Sequence, residues 1–363
     1  MAREYPGVPE ISMEEIEPSA KNPEPERGES RVREILDAWW HGDAHTHTQE
    51  STRPDYGYAE GIYTEQEILE YYSKLGLEFA VFSEHSSKPG QPSLQSPDSP
   101  ICASLIAESE RITKMNRERK EGAVGLSGVE ANILFDENGN PRIDIPTEVL
   151  SRLDMVTASR HQIAQEKNPE EIKRSLLFAA KQDVVDMIGH PDRNARDWQN
   201  QDPAYLETYY GIWPEIVQTM REHNKAFEIN MTSQPDPKIV VMAIEAGVPF
   251  FLNFDAHDFN QFKQTSTDLE RAGEQAKQRW AKEEMEEGDE QLMADYKLER
   301  LRSGPGVRAM FRLVKWISFL EKHGVTPDRV VNSSRERLIE FLASHGRQTE
   351  NLTQIQARLS TGS

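Results

Sequence analysis
The sequence predicts an α/β fold on three observations. From Trp39 onward, short apolar runs alternate with amphipathic stretches, the pattern of strand and helix repeating along a parallel sheet or barrel. The amphipathic stretches begin and end on residues suited to helix caps. The apolar runs lead into residues that can ligate a metal. A composition of 36% hydrophobic and 29% charged residues over 363 positions fits one large folded domain or two small ones and excludes collagen-like or wholly disordered classes.

In chain order, the opening segment carries Glu14, Glu15, Pro18, Lys21, Pro23, Pro25 and Gly28 with few large apolar groups, so residues 1–38 read as a mobile or loosely wrapped N-terminal arm. The body, 39–345, begins with Ala38-Trp39-Trp40 running into His41-Gly42-Asp43-Ala44-His45-Thr46-His47. Thr64 with Glu67 makes a capping box before Ile68-Leu69 and Tyr71-Tyr72, and Gly76 closes that helix. Phe79-Ala80-Val81-Phe82 leads into Ser83-Glu84-His85, and Ala123-Val124-Gly125-Leu126 into Gly128-Val129-Glu130. Met155-Val156 is followed by Ser159-Arg160-His161. Asn168 before Pro169 starts the next helix, after which Val184-Val185-Asp186-Met187-Ile188 reaches Gly189-His190-Pro191. Asp236 before Pro237 and Gly247 bracket a helix carrying Ile239, Val240, Met242, Ala243 and Ile244; Phe250-Phe251-Leu252-Asn253-Phe254 then reaches Asp255-Ala256-His257. Residues 263–303 are dense in mixed charge, including Glu283, Glu284, Glu286, Glu287, Asp289 and Glu290, and read as a charged helical excursion. Val307, Met310, Phe311, Val314, Ile317 and Leu320 recur at helical spacing. Residues 346–363 read as a C-terminal tail.

Charge and cysteine content narrow the setting. The 62 acidic against 42 basic residues give a formal charge of −20, which repels a phosphate backbone, so extended nucleic-acid binding is not expected; bound cations would still attract a single phosphate group. The single cysteine, Cys102, cannot form an intramolecular disulfide or supply a thiolate metal cluster. The apolar stretches, such as 248–254, fall short of the ~20 residues a membrane helix needs, and no secretory signal is visible. A reducing, cytoplasmic setting without membrane partners is the expectation.

Each metal-capable fragment is weak alone. Ten histidines in 363 residues give about 0.3 His-x-His pairs by chance, so His45-x-His47 is a modest signal. The coincidence is stronger: six of the ten histidines, with Glu130 and Asp255, follow six expected strands, and α/β barrels assemble their sites at the C-terminal ends of separate strands. Imidazole suits zinc, manganese or iron, and carboxylates can bridge two ions. Eight such ligands exceed the needs of one ion. Ions about 3.5–4 Å apart can activate water and clamp both the attacking and leaving oxygens of a displacement at phosphorus, which fits phosphate ester hydrolysis.

These residues resemble the polymerase and histidinol phosphatase (PHP) family. The match runs through His45-Thr46-His47-Thr48, Glu84-His85, Gly128-Val129-Glu130, Ser159-Arg160-His161, Ile188-Gly189-His190-Pro191, Glu228-Ile229-Asn230 and Asp255-Ala256-His257, in the family's order, with a family-like tail at Pro327-Asp328-Arg329-Val330-Val331-Asn332. The resemblance implies a distorted seven-stranded (β/α) barrel, phosphoesterase activity and two or three divalent metal ions. It implies that His45, His47, Glu130 and Asp255 hold the first ion, that Glu130 bridges to a second on His161 and His190, and that His85 and His257 hold a third. A further third-ion ligand falls on Glu60, in Glu60-Gly61-Ile62-Tyr63-Thr64-Glu65-Gln66-Glu67, with Asp55 as the alternative, because the segment after the first motif is longer than usual.

Arg160 and Arg193 stand beside ligand motifs, where a guanidinium can grip a phosphate or simply make a surface ion pair. Lys88 opens a Pro- and Ser-rich loop running to Pro100, either a cover for the pocket or a connector. Asp43 is expected to support His45 or His47 from behind, whereas His41, His223, His323 and His345 lack such context. The leading expectation is a metal-dependent phosphatase or phosphodiesterase acting on a small phosphorylated metabolite or nucleotide. The alternatives are a metal-dependent amidohydrolase, although a bridging carboxylated lysine is not evident and Glu130 fits that role, and a non-catalytic metal-bound regulatory or scaffold domain.

Overall fold
The computed structural model describes residues 36–51, 61, 63–86, 96–161, 168–193, 203–257 and 307–361. Glu60, Asp55, Lys88, the 263–303 excursion and nearly all of the N-terminal arm lie outside the described residues. Seven parallel strands follow one another in the order β1 (Gly42–Thr46), β2 (Phe79–His85), β3 (Val124–Phe135), β5 (Met155–Ser159), β6 (Met187–Gly189), β7 (Ala226–Asn230) and β8 (Phe250–Asn253). The short β4 (Pro141–Ile143) pairs antiparallel with the end of β3, off this path. The seven form a nearly closed barrel.

Helices α1 (Glu65–Leu75), α2 (Pro100–Glu118), α3 (Thr147–Leu150), α4 (Pro169–Ala180), α5 (Pro203–Glu222) and α6 (Pro237–Ala246) alternate with the strands. Their ends follow the local chemistry of the sequence. Thr64 and Glu67 form the reciprocal capping box, Asn168 and Asp236 accept from the backbone N–H groups of Glu170 and Lys238, and Gly76 and Gly247 close α1 and α6 at φ 79° and 81°. Such left-handed geometry favours glycine because it has no β-carbon.

Alternation along the strands separates two cores. Outward residues such as Ala80, Phe82, Val129, Val156, Ile188, Phe227 and Leu252 pack in the larger core with the helices. Inward residues Phe79, Val81, Val124, Leu126, Met155, Met187, Ala226 and Phe251 form a second core. Leu338, Phe341 and Leu342 of α8 (Arg335–Ser344) and Leu352 and Ile355 of α9 (Glu350–Thr361) join that inner cluster. Continuing with period two from Phe79 and Val81, the inward positions turn polar at Ser83 and His85, so one strand supplies both the apolar floor and a site residue.

Two boundaries differ from the expectation. Residues 36–39 are helical, Trp40 N–H closes a turn onto Leu36 O at 2.9 Å, and both tryptophans are buried, so the first strand begins only at Gly42. The C-terminal segment is a packed part of the fold. Buried Arg347 pairs with Asp186 (Nη2–Oδ2 2.8 Å) and donates to the carbonyls of Leu150 and Val184, while Asn351 donates to Asp154 at 2.8 Å. The helix α7 (Val307–Lys322) matches the expected periodicity and buries Val314, Ile317 and Leu320. No helix of the described residues is long and apolar enough to cross a membrane.

Asn332 closes the barrel where β8 meets β1. Its Nδ2 donates to Gly42 O at 2.8 Å and Leu252 O at 2.7 Å, and its Oδ1 accepts from Leu252 N–H at 3.0 Å, all fully buried. One amide thus does the work of a missing rung. Because truncation strands three buried backbone groups, Asn332→Ala is expected to destabilise the protein by ~2–4 kcal/mol, read as a lower midpoint in denaturant unfolding.

Candidate metal centre
The register of β1 decides where its histidines point. Pairing with β2 shifts between Asp43 and Thr46, a bulge that places one extra residue in β1. Asp43 Oδ2 and Thr46 Oγ1 therefore both reach the hydroxyl of Tyr72 on α1, at 2.9 and 3.1 Å, although simple alternation would send them to opposite faces. His45 and His47 are left facing the barrel interior. Asp43 supports His45 through its backbone N–H (3.1 Å), not its ring.

The structure brings eight of the nine sequence-derived ligands together; the ninth, Glu60, is among the residues not described. Glu130 is the hub. Its Oε1 lies 2.8 Å from His190 Nε2, 3.1 Å from His161 Nε2 and 3.5 Å from His45 Nε2, and its Oε2 lies 2.9 Å from His85 Nδ1 and 3.8 Å from His47 Nε2. Asp255 Oδ1 lies 3.3 Å from His47 Nε2, 3.7 Å from His45 Nε2 and 3.3 Å from His257 Nδ1. His85 and His257 approach at 3.2 Å between their Nε2 atoms. Two of these positions use unusual backbone: His190 has φ 25° and Asp255 φ 53°. Gly189 precedes His190 with no room for a β-carbon, which would collide with Ser159 Oγ. Left-handed residues of this kind cost about 1–3 kcal/mol each and persist where the surroundings hold them.

A shell of hydrogen bonds orients the rings. His45 Nδ1–H donates to Glu228 Oε1 at 2.6 Å, His161 Nδ1–H to Asn132 Oδ1 at 2.6 Å, and His257 Nδ1–H to Asp255 O at 3.0 Å. In each, the outer nitrogen holds the proton and Nε2 keeps its lone pair, the arrangement a metal ligand requires. Glu228 is held in turn by His190 N–H at 2.7 Å, Asn253 Nδ2 at 3.0 Å and Asn230 Nδ2 at 3.2 Å. His45 Nε2, His47 Nε2, His161 Nε2, Glu130 Oε2 and Asp255 Oδ1 are buried without a hydrogen-bond partner. Groups within this cage satisfy the reach expected around one ion: His45, His47 and Glu130; His85, Glu130 and His161; His47, His85 and His257. Unpaired buried polar atoms of this number are costly in an empty protein interior, and a set of imidazoles with a central carboxylate fits divalent cations.

No family model matches the chain. A probable phosphatase of Thermoanaerobacter sp. strain X514 is 30% identical over 246 residues, covering 64% of this chain and 86% of the relative. A probable phosphatase of Caldanaerobacter subterraneus subsp. tengcongensis is 31% identical over 244 residues, 64% of this chain and 79% of the relative. The chain belongs to the PHP family of metal-dependent phosphoesterases. A solved histidinol phosphate phosphatase from Lactococcus lactis, complexed with zinc, L-histidinol and phosphate, is a looser likeness, 20% identical with a TM-score of 0.42 over 66% of this chain and 93% of that one.

Electrostatics hold most of the PHP site in protonation states suited to cations. Burial and then the neighbouring His257 and His85 hold His47 well below an ordinary histidine, and burial lowers His161 to about 4 against the pull of Glu130. Burial opposes charge on Glu130 and Asp255, yet the surrounding imidazoles keep both well below the usual carboxylate range. Burial also opposes charge on His45, but Glu228, Glu130 and Asp255 together raise it well above its ordinary value. His47 and His161 are thus neutral beside ionised carboxylates, the protonation states that coordinate metals, whereas His45 favours its protonated form and gives up that proton when it ligates an ion.

Arg160 is half-buried next to His161, with Tyr205 in its field, and Arg193 is exposed three residues beyond His190. The motif Glu228-Ile229-Asn230 does not by itself show what Glu228 and Asn230 do. Their signal is periodic: they alternate with Phe227 and Ile229 on β7, so they face the interior.

Proposed function
We infer that this PHP enzyme hydrolyses a small phosphorylated metabolite or nucleotide with two or three bound divalent ions, zinc, manganese or iron. The reading assigns His45, His47, Glu130 and Asp255 to the first ion, Glu130, His161 and His190 to the second, and His85 and His257 to a third, with Glu60 as its further ligand. The observation that carries it is the inward convergence of imidazoles on both oxygens of Glu130, with His45 Nε2, His47 Nε2 and His161 Nε2 buried there without a hydrogen-bond partner. The Thermoanaerobacter and Caldanaerobacter relatives are both named as probable phosphatases, which supports the reaction class.

When bound, the ions supply Lewis-acid polarisation of the phosphoryl oxygens and lower the pKa of water. Glu228 and Asn132 fix the tautomers of His45 and His161, so those rings need no reorganisation. Glu130, with His45, His161 and His190 around Oε1 and His47 and His85 around Oε2, ties the imidazoles of the cage to one carboxylate. Arg160 and Arg193 grip the substrate phosphate from the rim through their guanidinium forks. Glu130 also occupies the bridging place that a carboxylated lysine takes in amidohydrolases, while the buried Lys225 donates to Val185 O just before β7, at the other end of the strands.

The test is a screen of phosphomonoesters, phosphodiesters and amides with protein reconstituted in zinc or manganese. Phosphate release that disappears in His190→Ala is expected. Amide cleavage alone would select the amidohydrolase chemistry, and no turnover on any class would favour a binding role.

A further inference from the structure
Not every carboxylate in the metal-binding motifs faces the cage. Glu84 precedes His85 on β2, where alternation turns it outward, yet it is only 1% exposed. Both of its oxygens are engaged: Oε1 accepts from Thr48 N–H at 3.0 Å and Oε2 from Ser51 Oγ–H at 2.5 Å. Ser51 ends the single 3-10 turn Gln49–Ser51, which returns the chain to His47 four residues on. Its fully buried Oγ lies 3.1 Å from His47 Nδ1 and 3.1 Å from His85 N.

A hydroxyl has one proton to give and two lone pairs to offer. The Ser51 proton goes to Glu84. Its lone pairs receive His85 N–H and His47 Nδ1–H, which leaves one tautomer for His47, with the lone pair on Nε2 facing Asp255 and Glu130. His45 obtains the same result by direct contact with Glu228. His47 obtains it through a relay that keeps the supporting carboxylate outside the barrel, so no further negative charge enters the cage.

We propose that Ser51 and Glu84 are positioning residues for metal binding: together they set the tautomer and ring orientation of His47 and tie it to the backbone of His85, so that two strands present their imidazoles in one fixed geometry. The proposal rests on the reading that the cage holds divalent ions. Neither residue touches substrate.

Zinc affinity by calorimetry and the visible absorption of the cobalt-substituted protein test it in wild type, Ser51→Ala, Ser51→Thr and Glu84→Gln. Removing a supporting partner of a metal-bound histidine weakens affinity by roughly 10–100-fold. That loss, with a shifted cobalt band, is expected for Ser51→Ala, and to a smaller degree for Glu84→Gln, whereas Ser51→Thr keeps the hydroxyl and should stay within a few-fold of wild type. Wild-type affinity and spectrum in Ser51→Ala would overturn the proposal. Should Ser51→Ala and Glu84→Gln fail to fold, imidazole nitrogen NMR of zinc-loaded wild type decides: a proton on His47 Nδ1 supports the relay, and zinc on Nδ1 overturns it. A wild-type protein that binds neither zinc nor cobalt would remove the functional reading and this proposal together.

Discussion

Glu130→Gln is expected to abolish phosphate ester hydrolysis while leaving the fold intact. Five imidazoles point at this one carboxylate, three at Oε1 and two at Oε2. Glutamine preserves the shape but removes the charge, and its amide group turns hydrogens toward at least one half of the cage. Charge stabilisation by bound ions contributes several kcal/mol to reactions of this kind. At 1.36 kcal/mol per tenfold in rate, losing about 4 kcal/mol lowers kcat/KM by ~10³. The metal-free variant should melt within a few degrees of the metal-free wild type, because what it loses is a ligand for cations and not part of the apolar core. A variant that keeps more than a tenth of wild-type kcat/KM with the same metal content would show that Glu130 is not the bridge.

Chelation is the second large effect. An ion that binds the folded chain and not the unfolded one stabilises by about 2.7 kcal/mol at one hundred times its Kd. For a large domain, each kcal/mol moves Tm by roughly 2–4 °C. Removing the ions with a chelator is therefore expected to abolish turnover and to lower Tm by at least ~5 °C, both restored by added zinc or manganese. The drop should shrink in Glu130→Gln, which loses the ligand shared by the first and second ions. Unchanged thermal melting in wild type after exhaustive chelation, with turnover intact, would contradict the assignment of the cage.

The parts of this molecule legible in its sequence are those fixed by neighbouring residues. Thr64, Asn168 and Asp236 act within one helical turn, so their roles follow from the few residues around them. The ligands at strand ends were legible because each follows an apolar run. What the sequence hides depends on distant partners. The bulge in β1 exists only through pairing with β2, and it alone explains why Asp43 and Thr46 share Tyr72. Asn332 closes a gap to Gly42 across 290 positions. Glu84 and Glu228 both sit in metal-binding motifs, yet one faces outward with Phe82 and the other inward with Ala226, a phase set by where each strand enters the sheet. Trp39 and Trp40 looked like the start of a strand because two residues are too few to show a period. The C-terminal segment looked like a tail although Leu352 and Ile355, three apart, are buried against the barrel floor.

The most direct measurement is anomalous diffraction from crystals grown with zinc, with data on both sides of the metal's absorption edge. At least two peaks are expected inside the ring of histidines, both within bonding distance of the Glu130 carboxylate, one beside the Nε2 atoms of His45 and His47 and the other beside those of His161 and His190. A ring without peaks, its carboxylates joined to protonated imidazoles by ordinary hydrogen bonds, would contradict the account.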